Sequence, residues 1–293
     1  MGMIVSFSPE LRTWILHNLD RGCAGADLVA RMVDQKFEPG IARELVETFV
    51  HARAAGIDPP AAAVTLESEA AQYHYETPRI APGTRIHTSD REISVLLRLE
   101  QPVLVVLEDV LSAGECDLLI EQSRSRLQPS TVVDLETGAN KVAAHRNSRG
   151  MFFRLEETPF IARLDRRVSE IMNCPVENGE GLQVLHYGVG AQSAPHFDFL
   201  VPSNLTNAES LARSGQRISS LVVYLNDVLA GGETFFPEIG LAVSPKKGSA
   251  VYFEYANSRR QLDHKSLHAG AVIAKGEKWA VTKWMRERRF ISA

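Results

Sequence analysis

The first 56 residues carry apolar side chains at helical spacing. Ser8-Pro9 has the form of a helix N-cap followed by proline at the first helical position. The apolar positions form three runs: Leu11, Trp14, Ile15 and Leu19; Leu28, Val29, Met32 and Val33; Ile41, Leu45, Val46 and Phe49. Because residues three and four apart share one helix face, the pattern predicts three short amphipathic helices. They would form a small N-terminal helical bundle over residues 1–56, marginal in stability by itself.

The composition changes over residues 57–92. Pro59-Pro60, Pro78 and Pro82-Gly83 stand among scattered polar residues, and proline and glycine interrupt regular structure. This segment is predicted to be a linker or an extended segment that wraps around the next domain.

Residues 93–293 mix helical and strand patterns. Ser112 and Glu115 form a capping box, and Thr158-Pro159 begins a second helix. Short apolar runs predict strands at 103–107, 182–187, 195–199, 218–225, 234–236, 250–255, 271–273 and 278–285. Helices followed by many short strands are typical of an α+β domain in which helices flank a β-sandwich.

The overall charge excludes partners that depend on strong electrostatic attraction. The 293 residues include 36 acidic and 32 basic side chains, a net charge of −4, so no general affinity for nucleic acid or anionic lipid is expected. The basic stretch 283–289 is predicted to be an ordinary solvated surface, with a site for an acidic partner as the alternative. No apolar run reaches the length of about eighteen residues that a membrane span needs.

The cysteines bear on the compartment. Cys23, Cys116 and Cys174 are widely spaced and odd in number, which predicts no disulfide framework. The first residues lack a basic segment followed by a long apolar run, so no signal peptide is expected. Both features favour a cytoplasmic location.

The candidate chemistry lies in His196, Asp198 and the more distant His268. In an extended strand His196 and Asp198 project to the same side, because side chains alternate. Two imidazoles and one carboxylate can occupy one face of a ferrous ion and leave about three of six positions open. A catalytic zinc with a bound water stays possible on these residues alone. His186 and His264 are predicted to be ordinary core or surface histidines.

The sequence segments around these residues are distinctive in composition, order and spacing. The segments are Arg146–Gly150 (RNSRG), Leu182–Gly190 (LQVLHYGVG), Pro195–Phe199 (PHFDF), Gly231–Pro237 (GGETFFP), Ser266–Gly270 (SLHAG), Gly276–Lys278 (GEK) and Thr282–Met285 (TKWM). Their order and spacing, from about residue 98 to 290, resemble the prolyl 4-hydroxylases of the collagen type, within the 2-oxoglutarate- and Fe(II)-dependent dioxygenases. The resemblance implies a double-stranded β-helix (jelly roll) with flanking helices. The chain resembles a bacterial-like cytosolic form that carries an N-terminal helical extension.

The resemblance also implies site residues and cofactors. It assigns His196, Asp198 and His268 to the metal, and Lys278, Tyr187 and Thr234 to the cosubstrate 2-oxoglutarate. A lysine deep in a barrel is costly without an anion to pair with it. The resemblance supplies that anion as the far carboxylate of 2-oxoglutarate, and a site for this cosubstrate favours iron over zinc. The expected cofactors are Fe(II), 2-oxoglutarate and O2, with L-ascorbate. The strands that carry the two metal-binding histidines are expected to face each other across the barrel mouth.

The implied reaction is hydroxylation of peptidyl-proline at C4, with release of succinate and carbon dioxide. Residues 130–138 resemble a segment that closes over a peptide. Arg146 and Trp284 match positions near the peptide groove, with an ion pair that stabilises the closing segment as the alternative role of Arg146. Ser193 departs from the pattern, since relatives often carry tyrosine there, and this leaves the contact with the proline ring open.

Two other functions stay open. One is a dioxygenase of the same fold that hydroxylates a free amino acid or small molecule. The other is a non-enzymatic metal-binding interaction module in which the N-terminal helices recruit a protein partner. Lys278 and Tyr187 argue against the module, because a non-catalytic site has no use for a 2-oxo acid.

Overall fold

The computed structural model of the protein describes residues 3–55, 58–66, 73–129, 131–133, 140–142, 148–202 and 205–292. The chain divides into two units, Met1–Tyr73 and His74–Ala293. No helix in the described ranges is long and apolar enough to cross a membrane.

The first unit contains the three predicted helices. Its elements are β1 (Met3–Ser6), α1 (Pro9–Asp20), α2 (Gly25–Asp34), α3 (Pro39–Ala55) and β2 (Ala63–Leu66). Helix α1 begins at the predicted cap, where the Ser8 hydroxyl accepts a hydrogen bond from the Leu11 amide at 3.3 Å. Side chains from all three helices and β2 form its core: Ile15, Leu19, Leu28, Met32, Ala42, Leu45, Val46, Phe49 and Val64.

Two strands in this region were not predicted as such. β1 and β2 pair as an antiparallel ribbon, so the first unit is not purely helical. β2 lies within residues 57–92, which sequence analysis treated as a linker or wrapping segment. The later part of that segment belongs to the second unit, where Ile80 and Ile86 are buried in the core. These apolar residues hold the segment in place despite its proline content.

The second unit combines helices with antiparallel strands. The helices are α4 (Ala113–Arg124), α5 (Pro159–Met172) and α6 (Leu205–Ser214), with short 3₁₀ turns at Val176–Asn178, Pro237–Ile239 and His264–Ser266. The strands are β3 (Arg85–His87), β4 (Glu92–Glu100), β5 (Val103–Glu108), β6 (Gln128–Pro129), β7 (Thr131–Val133), β8 (Asn140–Val142), β9 (Ser148–Phe152), β10 (Gln183–Tyr187), β11 (Ser193–His196), β12 (Arg217–Tyr224), β13 (Ala230–Gly231), β14 (Thr234–Phe236), β15 (Leu241–Val243), β16 (Ala250–Glu254), β17 (His268–Gly270), β18 (Ile273–Lys275) and β19 (Lys278–Arg286).

The strand order defines the fold class. The large sheet has the order β3-β4-β5-β16-β12-β19-β10-β9-β6, and the small sheet has the order β11-β17-β14-β15. From β10 onward the chain passes from the large sheet to the small one and back repeatedly, and these strands pair antiparallel. This is the double-stranded β-helix, or jelly roll. The predicted α+β class with a jelly roll and flanking helices is confirmed.

Strand β19 shows how the layers pack. All nine of its residues are buried, because each face of the strand is covered. Trp279, Val281 and Met285 join the core that α4 and α5 supply from one side. Lys278, Ala280, Thr282 and Trp284 alternate with them and line a cavity on the other side.

Several predicted boundaries are corrected. The strand expected at 195–199 ends at His196. Of the strand expected at 271–273 only Ile273 lies in a strand, because β17 ends at Gly270 and β18 begins at Ile273. Helix α6 had not been predicted.

The basic stretch 283–289 is not simply a solvated surface. Lys283 Nζ binds Asp165 Oδ1 of α5 at 2.8 Å, and both side chains are almost fully buried. Arg286 is also buried and donates to Glu180 at 3.2 Å. The alternation of β19, which is covered on both faces, places these two charges inside the protein. They are therefore not available to an acidic partner.

Candidate active site

A single cavity in the second unit brings most of the predicted site residues together. It is lined by Gln183, Leu185, Tyr187, Ser193, His196, Asp198, Val222, Thr234, His268, Ala269, Gly270, Lys278, Ala280, Thr282 and Trp284. The three predicted metal ligands, the three predicted cosubstrate residues and Trp284 are all in this set. Arg146 lies outside the described residues. Of the predicted closing segment 130–138 only β7 is described, and it pairs with β8, which follows that segment.

The two histidines lie side by side because of strand register. β11 pairs antiparallel with β17, and His196 is directly opposite His268. Their ring centroids are 4.4 Å apart. Asp198 follows the end of β11 and reaches both rings, with 3.7 Å from Oδ1 to His196 Nε2 and 3.7 Å from Oδ2 to His268 Nε2. The expectation that the two strands face each other across the barrel mouth is therefore wrong, since they are neighbours in the small sheet.

Backbone carbonyls fix the orientation of both imidazoles. His196 Nδ1 lies 2.9 Å from the Ala194 carbonyl oxygen, and His268 Nδ1 lies 3.0 Å from that of Ser266. Because a carbonyl oxygen only accepts, each Nδ1 must carry the proton. With that proton on Nδ1, Nε2 is the nitrogen of each ring that lies beside Asp198 and that a neutral imidazole would offer to a metal.

The carboxylate of Asp198 is held in its charged form. Burial by itself raises its pKa, but His268, His196, Arg217 and the Ser220 hydroxyl outweigh burial and lower the pKa to about 2. Ser220 donates to Oδ2 at 2.6 Å and lies 3.0 Å from the Tyr255 hydroxyl. A buried, ionised carboxylate between two oriented imidazoles is a ready set of metal ligands.

These donors fit Fe(II). In the part of the chain that the structure describes, His196, Asp198 and His268 are the one group of histidine, cysteine or acidic side chains whose ligand atoms lie close enough for a metal, within 4.8 Å of one another. Two nitrogen donors and one oxygen donor match the two-histidine, one-carboxylate set of non-haem iron oxygenases. Structural zinc sites favour cysteine ligands, and no cysteine lines this cavity.

Lys278 is a buried cation that lines the same cavity. It is 6% exposed, and its ammonium donates to the Gly232 carbonyl at 2.7 Å. Within the described residues no carboxylate lies within ion-pair distance of it. Burial lowers the pKa of Lys278 to about 8, with a partial offset from Glu233. A buried lysine that faces a cavity without an anionic partner suits an anionic ligand.

Thr234 and Tyr187 lie beside this lysine. Tyr187 is directly opposite Lys278 in the pairing of β10 with β19. The Tyr224 hydroxyl donates to Thr234 Oγ1 at 2.8 Å, so the Thr234 proton remains available for another acceptor. Burial raises the pKa of Tyr224, which keeps it a donor. Tyr224 was missed by sequence reasoning, because only the folded sheets bring β12 and β14 together.

Trp284 is positioned by an ion pair. The Arg217 guanidinium stacks on its indole at 4.0 Å and binds both carboxylate oxygens of Glu180, at 2.6 and 2.8 Å. Arg217 also donates to the Asp198 carbonyl oxygen at 3.3 Å. No local sequence pattern indicates Arg217, because its contacts with Trp284 and Glu180 join distant segments. The cavity residues Gln183 and Thr282 were also missed, although alternation from Tyr187 and from Lys278 indicates both.

The two remaining histidines of interest lie away from the metal ligands. His186 points to the opposite face from Tyr187, as predicted, and lies 2.8 Å from Glu277. His264 packs edge-on against Phe197 and Phe199. Neither lines the cavity.

The fold and the site define an oxygenase of the 2-oxoglutarate- and Fe(II)-dependent class, and comparison with known proteins agrees. A family model described as the 2OG-Fe(II) oxygenase superfamily matches residues 182–286. The chain is 37% identical over 209 residues to prolyl 4-hydroxylase 5 of Arabidopsis thaliana, covering 65% of this chain and 70% of that protein. It is 35% identical over 189 residues to the prolyl 4-hydroxylase subunit alpha-1 of Rattus norvegicus, covering 64% of this chain and 35% of that protein.

The chain belongs to the prolyl 4-hydroxylase family. It is therefore a 2-oxoglutarate-dependent dioxygenase, and the alternative of a non-enzymatic binding module is wrong. Among solved structures, the 2OG complex of the viral collagen prolyl hydroxylase from Paramecium Bursaria Chlorella virus-1 is 28% identical with a TM-score of 0.49, covering 62% of this chain and 94% of that chain.

Proposed function

We propose that the protein hydroxylates proline within a peptide or protein at C4, and that it consumes 2-oxoglutarate and O2 and releases succinate and carbon dioxide. The observation that carries this proposal is the cavity that joins three oriented candidate ligands to a buried lysine, which has no anionic partner among the described residues. The names of the relatives, prolyl 4-hydroxylases from plants and animals, support proline as the target.

Two groups of cavity residues have separate tasks. His196, Asp198 and His268 would hold Fe(II), and the metal, when bound, would supply the oxygen chemistry of this class. Lys278 binds the far carboxylate of 2-oxoglutarate. The Thr234 hydroxyl, oriented by Tyr224, and Tyr187 complete the cosubstrate site. Since these groups are buried, water is largely kept from the cosubstrate.

The substrate site lies toward Trp284. Its ring is held by Arg217, so a flat apolar surface is presented beside the metal ligands. Arg146 is proposed from sequence resemblance to contact the same peptide. Ser193, which is buried opposite Gly270, leaves more room than an aromatic side chain does at that position.

The test is direct hydroxylation of a proline peptide. Purified protein, Fe(II), 2-oxoglutarate and a synthetic proline-containing peptide should yield a peptide heavier by one oxygen atom, with an equal amount of succinate. Amino-acid analysis should identify the product as 4-hydroxyproline. Hydroxylation of free amino acids, with every proline peptide unchanged, would contradict the proposal and favour the small-molecule alternative.

Three further parts complete the proposal. L-ascorbate is proposed as the reductant that maintains Fe(II), by resemblance. The cytoplasm is proposed as the site of action, in agreement with the three free cysteines.

The first unit is proposed to recruit a protein partner. Deleting residues 1–73 should then leave turnover of a short proline peptide nearly unchanged and impair modification of the full protein substrate.

A further inference from the structure

The cavity has a second polar end that the proposed cosubstrate site does not use. Gln183 is opposite Thr282 and Tyr187 is opposite Lys278 in the same strand pairing. Four residues along a strand span about 13 Å, so the Gln183 end lies well away from the ammonium of Lys278. Trp284 is two residues beyond Thr282 on the same face and lines the cavity with them.

Two buried polar atoms at this end have no partner in the described part of the chain. They are Gln183 Oε1, an acceptor, and Trp284 Nε1, a donor. Trp284 is 7% exposed, and its stacking on Arg217 fixes the direction of its N–H. Leaving a buried polar group unsatisfied destabilises a protein appreciably. These atoms are therefore candidates for contact with a ligand.

The chemistry of the pair selects the ligand. Gln183 Oε1 needs an N–H or O–H donor, and Trp284 Nε1 needs an acceptor. The carboxylates of 2-oxoglutarate offer only acceptor oxygens, so the cosubstrate cannot satisfy Gln183. One residue of an extended peptide offers both groups, since its own N–H and C=O point to the same side. Proline itself lacks the N–H, so the donor must come from a neighbouring residue.

We propose that Gln183 and Trp284 form a specificity site that binds the backbone N–H and C=O of a residue flanking the target proline. This inference rests on the proposed function and deepens it. The site requires the target proline to be joined to a residue that has a backbone N–H. Gln183 acts here as a substrate-binding residue, separate from the metal ligands and from Lys278.

The test is an ester scan of a proline peptide that the enzyme hydroxylates. Two variants of the peptide replace the amide N–H of the residue before proline, or of the residue after it, by an ester oxygen. We expect one of the two to lower kcat/KM by about 3- to 10-fold, the usual range for one hydrogen bond. The same ester should have almost no effect on Gln183→Met, which lacks the acceptor and has a similar volume.

A second variant tests the other half of the pair. Trp284→Phe keeps a ring over Arg217 and removes the N–H, so KM for the amide peptide should rise a few-fold while KM for 2-oxoglutarate stays the same. Succinate release without peptide reports that each variant is folded and holds its cofactors.

The outcomes separate the two proposals. If no proline peptide is hydroxylated, the proposed function fails and this inference fails with it. If peptides are hydroxylated but neither ester lowers kcat/KM, or the loss persists in Gln183→Met, only the specificity site is overturned and these atoms are met by water alone.

Discussion

Strand β19 carries two buried lysines, five residues apart and on opposite faces. Lys283 faces α5 and is paired with Asp165 at 2.8 Å. Lys278 faces the cavity and meets the Gly232 carbonyl, with no carboxylate at ion-pair distance among the described residues. Burial lowers the pKa of both. The comparison teaches that a buried charge indicates a ligand site when the protein supplies no counter-charge, and a structural role when it does.

Loss of a proposed metal ligand from the cavity should have the strongest consequence for activity. His268→Ala should abolish succinate release, because two remaining donors hold Fe(II) poorly. The melting temperature without metal should change little by comparison. His186→Ala is the matched control, since His186 points away from the cavity, and it should retain turnover. Succinate release by His268→Ala at the wild-type rate would remove this histidine from the site.

Breaking the ion pair between Lys283 and Asp165 should have the next largest effect, and it should lower stability. Lys283→Ala should lower the free energy of unfolding by about 3–5 kcal/mol, because Asp165 is left buried without its counter-charge. Urea denaturation measures the change. The double variant Lys283→Met with Asp165→Leu should recover much of it, since an apolar pair leaves no charge buried. If Lys283→Ala is as stable as the wild type, the ion pair is not structural.

Replacing Lys278 should have a smaller effect, and it should weaken the binding of 2-oxoglutarate rather than lower the stability of the fold. Lys278→Ala should raise KM for 2-oxoglutarate about 10- to 150-fold, since a hydrogen bond to a charged group is worth roughly 1.5–3 kcal/mol. Iron binding should survive. Lys278→Arg should recover only part of the loss, because a guanidinium is bulkier than an ammonium. An unchanged titration with 2-oxoglutarate in Lys278→Ala would be the contrary result.

The smallest effect is a pH dependence of the same contact. Lys278 has a pKa of about 8 in the free protein, so it is protonated below that pH and loses its charge above it. The value of kcat/KM for 2-oxoglutarate should therefore fall above about pH 8, by up to tenfold per pH unit. Lys278→Arg should not show this fall, since arginine stays charged. A flat profile up to pH 10 in the wild type would show that another group binds the carboxylate.

Local patterns in the sequence predicted much of the fold. The caps at Ser8, Ser112 and Thr158 mark where α1, α4 and α5 begin, because a cap depends on a few neighbouring residues. The pairing of β1 with β2 was missed, since it joins segments about 60 residues apart. Alternation along β19 predicts that Lys278 and Lys283 point to opposite faces of the strand. Only the position of α5 in the fold shows which of the two faces is the core.

In the candidate site too, local patterns indicate some residues, and contacts between distant segments supply the others. The spacing of His196 and Asp198 suggests a shared metal, and the resemblance to a family added His268 and Lys278. The groups that orient them were not predictable. Ser220 reaches Asp198, and Tyr224 reaches Thr234, across contacts between strands that are distant in sequence. Their roles depend on side-chain direction in the assembled barrel.

The register that sets His196 opposite His268 has a consequence for how the chain tolerates changes in length. Adding or deleting one residue within β11 or β17 shifts the pairing by one position and turns a ligand toward the other face of the sheet. The segment between Asp198 and β12, which holds α6, lies outside that pairing. Insertions there change the rim of the domain without moving the metal ligands. Length variants should therefore be tolerated around α6 and rejected within a few residues of either histidine.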